Sequence, residues 1–189
     1  LSYSKNKKIM VMENGYHGNT QRCTDISDYK FNNKKGQGKK DYIIKVPMPN
    51  EFNSKYSKGK NGIGIQYAND AIKNIENVAA FICEPILGCG GQVPLPGGYL
   101  NKVYNKIRNN GGVCISDEVQ TGFGRLGNVF WGYEMYDVIP DIVILGKPMG
   151  NGHPIGAVVT TDDIANSFGK GVEFFSSFGG NPVSCAVGL

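Results

Sequence analysis

Continuous apolar runs dominate the pattern of hydrophobic and polar residues from position 78 onward. Four of these runs are short and bounded by polar or turn-forming residues, which is typical of strands in the core of a sheet. They cover Val78–Ile86, Gly112–Val119, Asp141–Lys147 and Pro154–Thr161. We therefore predict four buried strands in the second half of the chain.

Amphipathic segments lie between and after these strands. In Gly97–Gly112 the apolar residues recur at helical spacing, and Gly111 and Gly112 predict a left-handed helix stop. A second helix is expected in "TDDIANSF", with its N-cap at Thr161 or Asp162. The apolar positions of the first helix are Tyr99, Leu100, Val103, Tyr104 and Ile107.

The alternation of strands and helices predicts an α/β fold, with a mostly parallel sheet and helices on both faces. The preceding region, from about Ser27 to Gly64, is rich in Lys, Asn, Gly and Ser. We expect it to consist of loops within the same domain, because it is too short and irregular to form a domain of its own. We interpret the 189 residues as part of a longer protein.

Charge and composition exclude some classes of function. Residues 1–60 hold 13 Lys/Arg against 5 Asp/Glu, whereas residues 61–189 hold 7 against 11. The basic residues are scattered among Asn, Gly and Ser without a recognition motif, so solvated loops are favoured over nucleic-acid binding. No apolar run is long enough to span a membrane.

The cysteines and histidines indicate a reducing compartment without a structural metal. The five cysteines are odd in number and form no CxxC, and Cys83 and Cys114 lie in apolar runs. The two histidines lack zinc-ligand spacing. A cytoplasmic location is expected.

Charged residues follow the predicted strands at their carboxyl ends, where α/β sheets bind ligands. They are Glu84, Asp117, Glu118 and Lys147. A buried structural ion pair is the alternative, but it would need only one acid and one base. Three charged strand ends at one rim therefore favour a functional site.

The motif "GFGRLG" (Gly122–Gly127) matches a dinucleotide-binding fingerprint and follows a strand. Asp117 and Glu118 would however lie beside the pyrophosphate and repel it, and no amphipathic helix starts within the glycines. A flexible glycine loop is the preferred interpretation.

A lysine and an aspartate at neighbouring strand ends are the minimal pair for pyridoxal phosphate. The lysine amine forms a Schiff base with the cofactor's aldehyde, and the carboxylate keeps the pyridine nitrogen protonated. Lys147 and Asp117 are one strand–connection–strand unit apart. On an extended backbone Val119 would lie on the same side as Asp117, where it could contact the ring.

Two further positions suit the same cofactor. Gln120 could hydrogen-bond the phenolic oxygen of the ring. Tyr16 and His17, in the glycine-flanked "NGYHGNT", could stack on the opposite face of the ring. A surface aromatic in a turn is the simpler interpretation of Tyr16 taken alone.

Five segments in family order resemble the class III (ornithine/4-aminobutyrate type) pyridoxal-phosphate aminotransferases. They are "YHGNT", "AAFICEPILGCGGQVPLPGGYL", "CISDEVQTGFGRLG", "PDIVILGKPMGNGHPIGAVV" and "FGGNPVSCA". Within the family, "GKPMGNGHP" and "FWGYEMY" resemble the alanine–glyoxylate aminotransferase 2-like group, which includes phospholyases. The resemblance implies part of a fold-type I large domain, with the phosphate-loop region and the C-terminal small domain outside residues 1–189.

The same resemblance implies roles for single residues. Lys147 would be the Schiff-base lysine and Asp117 the partner of the pyridine nitrogen. Glu84 would be an acid near Asp117 and the substrate, and Ser177 would replace a threonine that binds the cofactor phosphate of the neighbouring subunit. Cys89 stands where some relatives carry an acid. A homodimer that shares its sites across the interface is implied.

Three functions remain open on the sequence alone. The first is an aminotransferase that moves an amino group from a primary amine or amino acid to an oxo-acid. The second is a phospholyase that eliminates phosphate from a substrate such as ethanolamine phosphate. The third is an inactive or structural fragment.

Overall fold

A six-stranded sheet organises the chain in the computed structural model, which describes residues 2–56 and 62–189. Its order is β2-β1-β3-β6-β7-β8, and every neighbouring pair is parallel except β7 and β8. Strands β4 and β5 form a separate antiparallel pair. The strands are β1 (Lys8–Met12), β2 (Ile43–Val46), β3 (Val78–Cys83), β4 (Ile86–Leu87), β5 (Val93–Pro94), β6 (Val113–Asp117), β7 (Ile142–Leu145) and β8 (Ala157–Thr160).

In the part of the chain that the structure describes, six α-helices and two short 3₁₀ helices accompany these strands. The α-helices are α1 (Gln21–Asp25), α2 (Asp28–Phe31), α3 (Gly62–Ile72), α4 (Tyr99–Asn109), α5 (Asp162–Gly169) and α6 (Pro182–Gly188). The 3₁₀ helices are Gly132–Tyr136 and Lys147–Gly150. Both predicted helices are confirmed: the five apolar positions of α4 are all buried, and α5 has its N-cap at Thr161. No helix in the described part of the chain is long and apolar enough to cross a bilayer.

Strand β1, which lies between β2 and β3, shows why the sheet is covered on both faces. Its side chains alternate, so that Met10 and Met12 enter the core formed with α3 and α4. Val11 points to the other face, where it packs with Phe31 of α2 and with Ile43 of β2. The predicted α/β fold, with its mostly parallel sheet and helices on both faces, is therefore confirmed.

Several elements were absent from the prediction, and they include helix α3. Strands β1 and β2 were also missed, and β2 lies inside the region expected to form loops. Their pairing is tertiary, because Ile9 of β1 lies opposite Ile43 across 34 positions of sequence.

The predicted strands differ from the structure in extent and burial. The first ends at Cys83, and Ile86 belongs to β4, because Glu84 and Pro85 interrupt the ladder. In β7 only Leu145 is buried, and no residue of β8 is buried, contrary to the expectation of buried strands. The reason is that β8 is an edge strand of the sheet and β7 lies next to it; Val158 of β8 is 65% exposed.

Small residues allow α3 and α4 to approach their neighbours closely. A Cβ on Gly64 of α3 would overlap the carbonyl oxygen of Gly97 and lie 2.8 Å from that of Pro96. Gly111 has φ +75°, which confirms the predicted left-handed stop after α4. Gly112 is instead required by its close approach to Val78 of β3.

Candidate active site

A pocket of about 390 Å³ lies at the carboxyl ends of β1, β3, β6 and β7. Parallel strands bring these ends to one edge of the sheet, which is where ligands bind in such folds. Seven of the eight residues predicted from the sequence line it: Tyr16, His17, Glu84, Asp117, Val119, Gln120 and Lys147. The sequence therefore located the pocket, although the contacts inside it were not predicted.

Asp117, the last residue of β6, is held by two donors. Its Oδ2 lies 2.8 Å from Nδ1 of His17, and its Oδ1 accepts the backbone N–H of Val119 at 3.2 Å. The His17 side chain is 1% exposed, and its Nε2 has no hydrogen-bond partner within the described residues. His17 was predicted to lie beside the ring with Tyr16; the structure adds that its ring orients the Asp117 carboxylate.

Glu84, directly after β3, fixes the backbone on two sides of the pocket. Its Oε1 accepts the N–H of Tyr16 and its Oε2 that of Gly88, both at 2.9 Å. Burial raises the pKa of Glu84, and the two N–H donors act in the opposite direction. A Cβ on Gly88 would overlap the side-chain amide of Gln120, so a glycine there leaves room for Gln120 in the pocket.

Lys147 follows β7 after a single glycine, as the buried end of that strand predicted. Gly146 lies against Val119: a Cβ on Gly146 would be 3.3 Å from its Cγ1. Lys147 has φ +39°, a left-handed conformation that is unfavourable for a residue with a side chain. The chain therefore accepts local backbone strain where the lysine enters the pocket.

The glycine-rich stretch after Lys147 is tied to α6. His153 Nε2 lies 2.9 Å from Oγ of Ser184. Asn181, the N-cap of α6, both accepts the N–H of Ser184 and donates to its hydroxyl. Gly152 has φ +102°, which agrees with the expectation that glycine lets the backbone turn away from the pocket.

Glu118 does not point into the pocket, contrary to the expectation that all the charged residues at the strand ends belong to one functional site. It is fully buried and accepts hydrogen bonds from the hydroxyls of Ser116 and Thr121 and from the N–H groups of Gly132 and Tyr133. Its carboxylate joins the end of β6 to the 3₁₀ helix at Gly132–Tyr136. Glu118 is thus structural, because four donors satisfy its charge away from the rim.

Val119 lines the pocket, but the backbone that was expected to place it there is not extended. β6 ends at Asp117, and Val119 and Gln120 lie in a turn rather than on extended backbone. The hydrogen bond from Val119 N–H to the Asp117 carboxylate forms this turn and directs both side chains to the pocket.

Ser177 belongs to the predicted set but does not line the pocket, whereas Cys89 lines the pocket without belonging to that set. Ser177 is exposed in the segment before α6 and does not line the pocket. Its assignment to the cofactor phosphate of a neighbouring subunit stays a prediction. Cys89, which was expected to replace an acid that some relatives carry, does line the pocket, and partial desolvation raises the pKa of its thiol.

A second cavity, of about 650 Å³, shares Val119, Gln120 and Lys147 with the first. It extends away from the sheet to Arg125 and Leu126 of the "GFGRLG" loop. This loop was expected to be a flexible glycine loop without a ligand. The one available signal was the presence of an arginine among glycines shortly after the candidate acid Asp117.

The family model of the class-III aminotransferases matches residues 2–189. The chain belongs to this family. The resemblance read from the motifs is thereby confirmed, as is the fold-type I architecture. The family is one of pyridoxal-phosphate-dependent enzymes, so the predicted cofactor is confirmed as that of the family.

Known relatives include both aminotransferases and phospholyases. The chain is 44% identical to a Drosophila melanogaster protein named alanine–glyoxylate aminotransferase 2-like, over 98% of this chain and 40% of that protein. It is 40% identical to ethanolamine-phosphate phospho-lyase homolog 1 of Caenorhabditis elegans, over 98% of this chain and 44% of that protein.

The fold of the chain is also similar to that of a solved structure. It is an Arthrobacter phospholyase in complex with phosphoethanolamine, with a TM-score of 0.85 and 36% identity over 98% of this chain and 45% of that one. The chain spans less than half the length of these relatives.

Proposed function

We propose that the whole protein is a pyridoxal-phosphate-dependent enzyme that transfers an amino group from a primary amine or amino acid to an oxo-acid. One observation carries this proposal. Asp117 is the last residue of β6, and Lys147 follows the adjacent parallel strand β7. Both residues line one pocket. A lysine and a carboxylate in this relation are the two groups that the cofactor requires from the protein.

The residues in the pocket fit the cofactor. When bound, pyridoxal phosphate supplies an electron sink for the carbon that carries the substrate's amino group. Lys147 would hold it covalently through its amine, and Asp117 would face the pyridine nitrogen. Tyr16 and Val119 would contact the ring, and Gln120 would donate to its phenolic oxygen.

The remaining contacts define what the protein's own groups do. His17 holds the Asp117 carboxylate in one orientation through the 2.8 Å hydrogen bond. Glu84 fixes the backbone of Tyr16, and so the position of its ring. Once the substrate releases Lys147 from the cofactor, its amine would serve as base and then as acid at the reacting carbon.

The covalent role of Lys147 can be tested in the full-length protein. Lys147→Ala should abolish the visible absorbance of the lysine-bound cofactor and the transfer of amino groups. Lys106→Ala, which removes an exposed lysine on α4, is the matched control and should leave both unchanged. A visible band that persists in Lys147→Ala would show that another lysine holds the cofactor.

Phosphate elimination is the second candidate function, and the named phospholyases among the relatives favour it. The same pocket would serve, because a phosphate leaving group on the carbon next to the reacting one turns the reaction toward elimination. Incubation of the holoenzyme with ethanolamine phosphate separates the two. Phosphate release without an oxo-acid acceptor indicates elimination, whereas acceptor-dependent formation of an amino acid indicates transfer.

We also propose a cytoplasmic homodimer in which Ser177 reaches the cofactor phosphate of the neighbouring subunit. Its exposed position before α6 supports this role. Ser177→Ala should weaken the binding of pyridoxal phosphate, measured by equilibrium dialysis, while Ser176→Ala serves as the adjacent control. Equal cofactor affinity in both variants would contradict the assignment.

A further inference from the structure

The segment Ser27–Lys30 supports the turn Asn14–His17, which carries Tyr16 into the pocket. Hydrogen bonds join the backbone of the turn to this segment. They run from the N–H of His17 to the Oγ of Ser27 at 2.8 Å, from the N–H of Asn14 to the Oδ2 of Asp28 at 2.8 Å, and from the N–H of Tyr29 to the carbonyl of Gly15 at 3.2 Å. No residue of the segment lines the pocket, so the segment holds the turn from outside.

Buried polar groups anchor the segment to the rest of the fold. Asp28 is 1% exposed, and its Oδ1 lies 3.3 Å from the Nζ of Lys45 on β2. Ser27 is fully buried, and its hydroxyl donates to the carbonyl of Cys23 on α1 at 2.6 Å. Because buried polar groups are costly to leave unpaired, these contacts favour one conformation of the segment. The side chains that follow Asp28 are therefore presented from a defined backbone.

The ring of Tyr16 receives two contacts from these side chains. The ring of Tyr29 packs edge-on against it, with 6.0 Å between centroids and an interplanar angle of 74°. The Nζ of Lys30 lies over the Tyr16 ring, 5.4 Å from its centroid. An ammonium in this position is attracted by the negative potential of the aromatic face. Since neither Tyr29 nor Lys30 lines the pocket, both reach the ring from outside it.

The charge of Lys30 is directed to this ring and not to a carboxylate. In the part of the chain that the structure describes, Lys30 forms no ion pair, and Tyr16 is the only aromatic residue over which its ammonium lies. Lys55, which also lies over a tyrosine ring, is by contrast paired with Asp70 at 2.7 Å. The contact with Tyr16 is therefore the interaction that fixes the Lys30 ammonium.

The charge of Lys30 also reaches the pocket. Desolvation raises the pKa of the Cys89 thiol, and the charges of Lys147 and Lys30 act in the opposite direction. Cys89 and Lys147 both line the pocket, so Lys30 lies close enough for its charge to act there. Lys30 is thus placed to influence a group bound in the pocket, although it does not line it.

We propose that Lys30 is a positioning residue that holds the ring of Tyr16 in the orientation in which it contacts the cofactor. This inference rests on the proposed function, because Tyr16 must contact the cofactor ring for its orientation to matter. It assigns a role in the site to a lysine of the region from Ser27 to Gly64, which was expected to consist of loops.

The test measures the dissociation constant of pyridoxal phosphate for the full-length protein by equilibrium dialysis. Lys30→Met keeps the length of the side chain but removes its charge. Without the cation, the Tyr16 ring occupies its binding orientation in a smaller fraction of molecules, and the dissociation constant rises by the same factor. A cation over a partly exposed ring corresponds to a factor of about two to five.

Two variants serve as controls for this measurement. Lys30→Arg keeps a cation that can lie over the ring, and should retain the wild-type dissociation constant. Lys34→Met removes an exposed lysine of the same region and should also leave it unchanged. A loss in both Lys30→Met and Lys34→Met would show a general effect of charge, and would contradict the inference.

Replacing Tyr16 separates positioning of the ring from a structural role of Lys30. Tyr16→Phe keeps an aromatic face, so Lys30→Met should still raise the dissociation constant about two- to fivefold in that background. Tyr16→Leu removes the face, and Lys30→Met should then have no further effect. A merely structural contribution of Lys30 would change the dissociation constant by the same factor in both backgrounds.

Failure of this inference is distinct from failure of the proposed function. If the wild type shows the visible absorbance of the lysine-bound cofactor and Lys30→Met binds pyridoxal phosphate as tightly, Lys30 does not position Tyr16. An undiminished effect of Lys30→Met in the Tyr16→Leu background would overturn the inference in the same way. Absence of the visible band in the wild type would instead refute the proposed function, and this inference with it.

Discussion

Replacing Glu118 by glutamine removes a charge from the centre of four hydrogen bonds. Ser116 and Tyr133 donate to one carboxylate oxygen, and Thr121 and Gly132 donate to the other. The two hydroxyls can rotate to accept from the new NH₂ group, but a backbone N–H cannot. In either orientation of the amide, the N–H of Gly132 or of Tyr133 therefore faces another donor.

The size of the effect follows from this count. One buried backbone N–H left without an acceptor costs about 1–3 kcal/mol, and the remaining bonds lose the strength that the charge gave them. Glu118 is fully buried, so water cannot replace the lost acceptor. We expect Glu118→Gln to lower the free energy of unfolding by about 2–4 kcal/mol.

The assay is urea denaturation of the full-length protein, with cofactor release followed in the same samples. Glu134→Gln is a matched control, because its carboxylate accepts the N–H groups of Phe130 and Trp131 in the same region but is exposed to water. Its loss should be several-fold smaller. Cofactor should dissociate more readily from Glu118→Gln, since Glu118 lies between two residues that line the pocket.

Either of two results would refute the reasoning. Wild-type stability of Glu118→Gln would mean that the four donors find other acceptors at no cost. Equal losses in Glu118→Gln and Glu134→Gln would mean that burial does not determine the value of these hydrogen bonds.

Two further predictions concern packing and pH. Gly64→Ala should lower the free energy of unfolding, measured by urea denaturation, by about 1–3 kcal/mol, because its Cβ would overlap the Gly97 carbonyl. The control is Gly169→Ala, at an exposed glycine with open space around it. Equal stabilities of the two variants would contradict the close approach of Gly64 to Gly97. Burial raises the pKa of Glu84, so ionising this carboxyl in the folded protein lowers the free energy of unfolding. This cost is absent below the ordinary carboxyl pKa, where Glu84 is protonated in both the folded and the unfolded protein. It is complete above the raised pKa. The stability advantage of wild type over Glu84→Gln should therefore shrink as pH rises through that interval, and an advantage that grows would show a lowered pKa.

The candidate site was more predictable than the part of the fold that supports it. Asp117 and Lys147 stand out because charged residues at the ends of apolar strands are costly unless they are used or paired. β1, which leads to Tyr16 and His17, and its partner β2 were not predicted. The contact of His17 with Asp117 joins residues 100 positions apart, and local pattern carries no information about such a pair.

The sequence by itself determined the order of strands β3, β6, β7 and β8 and of helices α4 and α5, the buried face of α4 and the charged residues at the strand ends. These follow from periodicity and from the kinds of residues at strand ends, which are local properties. Only the tertiary structure decided that Glu118 is structural while its neighbour Asp117 faces the pocket. Both are acids at the end of one strand, and the donors that separate their roles come from residues brought near by folding. The same holds for Arg125: its charge is plain in the sequence, but its place in a cavity shared with Lys147 depends on how the loop packs.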